Sequence, residues 1–431
     1  MAKFKKLVLT NWRQFENVSI NVHPRLTILT GANGAGKSTI LSIFSQHFGW
    51  NRNVLATPRT LTSGARTFFQ GVFKTLKVSI TRGDASNDEI GFVEYDNNLK
   101  ATLTVPKTTG IQYGISINAQ QAVEGFHISS HRSIPIYQGV GTIPTNFISP
   151  QLAYSNYSSE LQTEFASGRW SSSPIFRMKE ALISMAMFGE GNKHIQPNPE
   201  IQTAFNGFIS KLIEVLPEAI GFVGLDIRMP DVVLRTKTGD FLLDASSGGL
   251  MALIDITWRI YMNSLNEGEF VVTFDEPENH LHPSMQQSLL PNLIKAFPRV
   301  QFIVVTHSPF VVSSVKDSNV YVLRHRTISE NANDAETGGL LTQERAVNSQ
   351  QLDTLNKAGN AAAILRDVLG VPTTLPQWLD EDIDVIVKEY SIKEFSKDTL
   401  IKLRLVLKER GLDEFYPQVV SQISSIHDQT H

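Results

Sequence analysis

Eight residues, Gly31-Ala32-Asn33-Gly34-Ala35-Gly36-Lys37-Ser38, carry the clearest chemistry in the chain. Their pattern is G-x-x-x-x-G-K-[ST]; the strand-like run RLTILT (25–30) precedes it and a helical run near 37–48 follows. Glycines at these positions let successive backbone N–H groups turn inward around phosphate oxygens. The spacing directs Lys37 to β- and γ-phosphate oxygens, gives Ser38 to a Mg²⁺ ion, and sets the anion against a helix N-terminus. Gly36 and Thr39 flank these two side chains and complete the nucleotide contacts.

Such a loop needs an acidic partner on a neighbouring strand. VVTFDEPENHLHP places Asp275 at the end of an apolar run, with Glu276 immediately after it. An aspartate completing the Mg²⁺ shell, beside a glutamate polarising an attacking water, is a chemically sensible division of labour. An ordinary acidic turn does not explain two adjacent carboxylates at the C-terminal edge of a sheet, where ligands of open α/β sheets bind. After the next apolar run comes Thr306-His307-Ser308-Pro309, which brings a histidine to the same edge, able to donate to a γ-phosphate.

The stretch DASSGGLMALIDI (244–256) is the third candidate. A helix start needs one capping serine, yet Ser246-Ser247-Gly248-Gly249 stand here, and paired glycines cost backbone entropy. A second donor-rich helix tip is redundant for a chain whose own loop already supplies the phosphate donors.

The elements that must position these residues can be read from pattern. FKKLVLT (4–10) and RLTILT are strands. IGFVEY, ATLTV and TLKVSI alternate, with turns between, and predict an antiparallel sheet over 72–130. Residues 133–172 read as long loops, 176–188 and 201–215 as helices, 221–243 as a strand pair and 249–264 as a helix. FVVTFDEP and QFIVVTHSP, joined by a helix over 283–296, predict central parallel strands with a crossover. Residues 327–350 are polar and read as a linker, and 353–418 as three helices.

Composition sets the limits. The 431 residues allow two or three domains, and a hydrophobic content of 41% supports a core. A net charge of −3 gives no global drive toward nucleic acid, and the absence of cysteine excludes disulfides and thiolate chemistry. With no signal-like or membrane-spanning run, a soluble cytoplasmic protein is expected.

The order GANGAGKS, SSGG, FDEP and THSP resembles the ABC-type ATPases of the SMC/RecF branch. LVLTNWRQFENVSINVHPRLTILTGANGAGKSTIL, GFHISSHRS, RMKEALISMAMFG and DEPENHLHP resemble more closely the ATPases of prokaryotic anti-phage systems: the OLD-like group, Septu PtuA and PARIS AriA. The resemblance spans roughly 4–325 and is weaker beyond. It implies an α/β fold: a P-loop ABC-type ATPase head (1–325) with an antiparallel β subdomain (72–130) and a helical or loop insertion (133–220). A linker (326–352) and a small helical C-terminal region (353–431) complete the expected organisation.

The same resemblance implies roles by position. Asn33 and Gly34 lie in the phosphate loop, and Arg13 near the α-phosphate or base. Ser246, Ser247 and Gly248 match the ABC signature that approaches the nucleotide of the other protomer, and His307 matches the switch histidine. The family's Q-loop glutamine has no obvious counterpart. His131 or Arg132 stands at the expected strand end, and Gln120 and Gln121 fall earlier. His280 and His282 read as dimer or supporting residues rather than metal ligands, and Asp382 and Asp384 as a solvated helix face.

The implied function is a slowly hydrolysing, Mg²⁺- and ATP-binding subunit of an anti-phage complex. It would assemble through ATP-sandwiched protomers, as a dimer or larger, around a separately encoded effector, expected to be a nuclease. A RecF-like DNA repair clamp is the alternative, and a transporter ATPase a more remote one. About 210 residues without heptads separate Lys37 from Ser246, so no long coiled-coil arm is expected.

Overall fold

The computed structural model describes residues 2–430 except 61–65, 70, 72–86, 108–109, 133–135, 143–145, 168–171, 267, 328–344, 354–356, 358, 360, 372–376 and 392–395. The chain divides into a large unit, Met1–Ile364, and a small one, Leu365–His431.

An eleven-stranded sheet organises the large unit. From one edge its strands are Ser116–Asn118, Lys100–Pro106, Asn87–Tyr95, Phe4–Trp12, Phe15–Asn21, Arg345–Gln351, Asn319–Thr327, Leu26–Gly31, Val300–Val305, Phe270–Asp275 and Gly125–Ile128. Leu26–Gly31 and Val300–Val305 are buried at every residue, and Phe270–Asp275 at all but its last. These runs of β-branched and aromatic residues pair in parallel, as strands covered on both faces do. Phe4–Trp12 instead mixes buried residues, Phe4, Leu7, Leu9 and Trp12, with exposed and half-buried ones, and pairs antiparallel on both sides.

Three expectations change here. The antiparallel strands Asn87–Tyr95 and Lys100–Pro106 continue the main sheet through Phe4–Trp12, and TLKVSI lies outside the described residues. Gly125–Ile128, at the end of the stretch read as antiparallel, pairs in parallel with Phe270–Asp275 at the opposite edge. The stretch read as a linker ends in Arg345–Gln351, a strand antiparallel to Asn319–Thr327 and parallel to Phe15–Asn21, joining the two halves of the sheet. Its polarity hid it. Asn348 and Ser349 accept from the amides of Asn17 and Ser19 at 3.1 and 2.8 Å, so the side chains add to the ladder instead of to a core.

Residues 133–172, read as loops, contain the helix Pro150–Ser167. Its inner positions include Ala153, Tyr157 and Glu160, and Glu160 is held by Arg177 at 3.2 Å, so an ion pair replaces part of the apolar stripe. Helices Pro174–Glu190 and Pro199–Val215 follow as expected, the second capped by Asn198. Three short strands, Phe222–Arg228, Asp231–Thr236 and Gly239–Leu242, stand where a pair was expected and lead into the helix Gly248–Asn266. In the small unit, helices Gln377–Ser391, Lys397–Glu409 and Tyr416–Thr430 share a core built on Ile383, Ile386, Leu403, Leu407 and Val419. Asp382 and Asp384 are exposed on the first of them.

Candidate functional site

The phosphate loop joins the strand Leu26–Gly31 to the helix Lys37–Ser45. Gly36 caps that helix in the left-handed region at φ 91°, and a Cβ there would strike the Phe15 ring. Only glycine meets both demands at low cost. Lys37 is buried, and its Nζ donates to the carbonyls of Gly31 and Ala32 at 3.0 and 2.9 Å. Burial lowers its pKa to about 8 against the pull of Glu276, Asp275 and Glu278. The ammonium rests on its own loop's carbonyls, within the field of three carboxylates. Asn33, Gly34 and Ser38 are exposed at the rim, and Thr39 is half-buried.

Asp275 ends its strand beside this loop. Ser38 lines one small cavity with its carboxylate, whose Oδ1 is buried with no partner among the described residues. Burial, and then the neighbouring Glu276, raise its pKa to about 6. An orphaned carboxylate oxygen beside a serine hydroxyl is a hard oxygen pair, and it fits a Mg²⁺ ion.

Glu276 takes φ 48°, a conformation a non-glycine residue holds only under outside constraint. Two neighbours supply it. Arg132 donates to the carbonyls of Glu276, Pro277 and Asn279 at 3.2, 3.2 and 3.0 Å. Asn279 donates to Glu276 Oε2 at 3.0 Å and to the Ser130 carbonyl at 3.2 Å. Glu276 Oε1 lies 4.0 Å from His307 Nε2. Burial and the nearby Lys37 lower the His307 pKa against the pull of Glu276, so its neutral form is favoured.

Glu278 was not singled out by sequence, yet it ties the two acidic and histidine-bearing loops together. Its Oε1 accepts from the Thr306 hydroxyl at 2.7 Å and from the His307 and Ser308 amides at 2.8 and 3.1 Å. Burial raises its pKa. The available signal was the third carboxylate of DEPEN, but its partners lie almost thirty residues onward and become neighbours only in the sheet.

Of the Q-loop candidates, Arg132 is the residue under the Glu276 loop, and His131 is exposed. Gln121 bonds the carbonyl of Ala119 in a local turn at 3.1 Å. Arg13 occupies the turn between the first two strands at φ 54°, and its neighbour Gln14 donates to the Gly34 carbonyl at 3.4 Å, so this turn abuts the phosphate loop.

The SSGG stretch resolves into distinct parts. Ser247 is exposed and its hydroxyl accepts from the Leu250 amide at 3.4 Å, the capping geometry; Ser246 is buried with an unpartnered hydroxyl. Gly248 is exposed at the tip. A Cβ at Gly249 would come within 2.7 Å of the His280 carbonyl, so this glycine permits a close approach inside the chain itself. His282 caps the helix Pro283–Ala296 through the Ser284 amide. A cavity of about 450 Å³ runs from Asp275 past Arg132 and Trp50 to Gly248 and His280.

A family model described as "AAA domain" matches residues 6–164, and one described as "AAA domain, putative AbiEii toxin, Type IV TA system" matches 266–313. The chain is 43% identical over 132 residues to the "Retron Ec83 probable ATPase" of Escherichia coli, covering 27% of this chain and 24% of that one. It is 37% identical over 90 residues to the "Retron Vc95 probable ATPase" of Vibrio cholerae serotype O1 biovar El Tor, covering 19% and 17%. To the "Septu protein PtuA" of Bacillus mycoides (strain KBAB4) it is 34% identical over 86 residues, covering 19% and 12%. The matched segments thus span a quarter or less of these relatives. Among solved structures, the SMC head domain from Thermotoga maritima matches with a TM-score of 0.39 at 14% identity, covering 81% of this chain and 99% of that one. Segments of the chain are thus similar to two retron probable ATPases and to Septu protein PtuA. Its architecture is a mixed α/β sheet with a phosphate loop between strand and helix.

Proposed function

We propose that the chain binds ATP with Mg²⁺ and hydrolyses it slowly at sites shared between two copies, as the regulatory ATPase of a prokaryotic defence complex. One observation carries the reading: Lys37, Ser38, Asp275, Glu276 and His307, distant in sequence, meet at one sheet edge. Lys37 exchanges its loop carbonyls for phosphate oxygens. Ser38 and Asp275 would hold the metal, which when bound neutralises phosphate charge. Glu276 orients and deprotonates the attacking water, and His307 donates to the γ-phosphate.

The exposed tip Ser247-Gly248 serves the nucleotide of a second copy. The relatives' names support a defence setting, in which hydrolysis resets an assembly holding a separate effector, a nuclease by our reading. Turnover is slow because one chain supplies only half of each site.

Nucleotide binding by the purified chain tests the core of this reading. Lys37→Ala is expected to weaken ATP binding by roughly a hundredfold, the loss of charge-assisted phosphate contacts. Unchanged affinity would remove the phosphate-loop assignment. Co-purification with the product of an adjacent gene tests the effector.

A further inference from the structure

The geometry points to Lys179 as a positioning residue for the signature tip Ser247-Gly248, acting through Asp244. The inference rests on the proposed role of that tip.

Lys179 lies on the helix Pro174–Glu190 and is fully buried. An ammonium has three N–H donors, and burial makes each unmet one costly. All three are met. The Gln138 carbonyl accepts at 2.9 Å, Asp231 Oδ1 at 2.8 Å, and Asp244 Oδ2 in a close ion pair. The Tyr137 ring closes a further side at 5.2 Å, and the Tyr137 hydroxyl donates to Asp231 at 3.3 Å. The side chains of Asp231 and Asp244 are 11% and 4% exposed, so the cluster is screened little by water.

What the lysine joins is more telling than its burial. Asp231 begins the middle strand of the small sheet. Asp244 lies in the turn Leu243–Ala245, two residues before Ser246, and Leu243 beside it is buried. The turn closes on Ser246, which is extended at φ −62° and ψ 144° and leads to the capping Ser247. Anchoring Asp244 therefore sets where the exposed tip stands and the direction in which the helix Gly248–Asn266 leaves. Gln138 follows six residues after Arg132, the residue that holds the Glu276 loop. The support of the chain's own base and that of its signature tip thus meet in one short segment.

A purely structural ion cluster would respond alike to loss of either carboxylate; a positioning cluster would not. Lys179→Met, Asp244→Asn and Asp231→Asn in the full chain separate the two cases by hydrogen exchange at the amides of 245–251. Lys179→Met and Asp244→Asn are expected to speed exchange there by about tenfold or more, with Asp231→Asn changing it by less than about threefold. ATP affinity stays near that of the parent in all three, because the phosphate loop is untouched. ATP-dependent self-association falls about tenfold in the first two.

Unchanged exchange in Asp244→Asn, or equal effects of Asp231→Asn and Asp244→Asn, would overturn the assignment. Asp244→Asn keeps the test decisive if Lys179→Met fails to fold. If the parent chain shows no ATP-dependent association, the shared-site reading fails, while the exchange data still decide the role of Lys179.

Discussion

Glu278 shows how much of the site rests on a side chain that takes no direct part in the chemistry. One buried oxygen gathers a hydroxyl and two amides and so fixes where His307 begins. Removing it strands two donors, the Thr306 hydroxyl and the His307 amide, each unmet one costing about 1–3 kcal/mol where no water reaches, while the Ser308 amide keeps the Thr306 oxygen at 2.9 Å. Glu278→Ala is therefore expected to leave ATP affinity within about twofold and cut single-turnover hydrolysis by roughly tenfold or more as His307 loses its place. Equal losses in affinity and turnover would point instead to collapse of the phosphate loop. Lys37, Asp275, Glu276 and His307 were legible because each sits at a fixed offset from an apolar strand end. Glu278 and Asn279 were not, and Arg132 stood only as one of several Q-loop candidates, because these contacts join loops far apart in sequence and no spacing rule ties residue 132 to residue 276 or residue 130 to residue 279.

At the scale of elements, the signature helix and the polar strand differ in what their sequences disclose. The strength of GLMALIDITWRI as a helix was plain, and Ser247 caps it. The reason for the second glycine was not: Gly249 makes room for the His280 carbonyl, tying the tip to the loop that follows Glu276. Gly249→Ala forces that carbonyl away from a 2.7 Å approach. The expected outcome is ATP binding near the parent level, with ATP-dependent association reduced by about tenfold, read by light scattering. Normal association would show that tip and loop are not coupled by this contact. Arg345–Gln351 escaped because a strand whose side chains bond neighbouring backbone carries no hydrophobic period to read.

For the whole molecule, the core beneath the phosphate-loop helix carries a built-in acid limit. His47 Nε2 accepts from the Tyr95 hydroxyl at 2.8 Å, and Nδ1 meets the carbonyls of Ile43 and Phe44 at 3.2 Å, an arrangement the neutral ring satisfies. Burial pushes its pKa from 6.5 down to about 4. A depressed histidine contributes stability that is fully present above the unfolded value and is lost as pH falls toward the folded one. Unfolding measured at pH 7 and pH 5 should therefore differ by roughly 2 kcal/mol more in the parent than in His47→Gln. An equal pH dependence would place the acid limit elsewhere. Among the described residues no helix is long and apolar enough to cross a membrane. In the proposed assembly, the exposed, glycine-bearing tip at 247–248 would meet the phosphate loop of a second copy. The mass of Glu276→Gln in saturating ATP and Mg²⁺ tests this most directly. The expected result is an assembly of at least two chains that Ser247→Arg abolishes without loss of ATP binding. A monomer under these conditions, or an assembly indifferent to both ATP and Ser247→Arg, would contradict it.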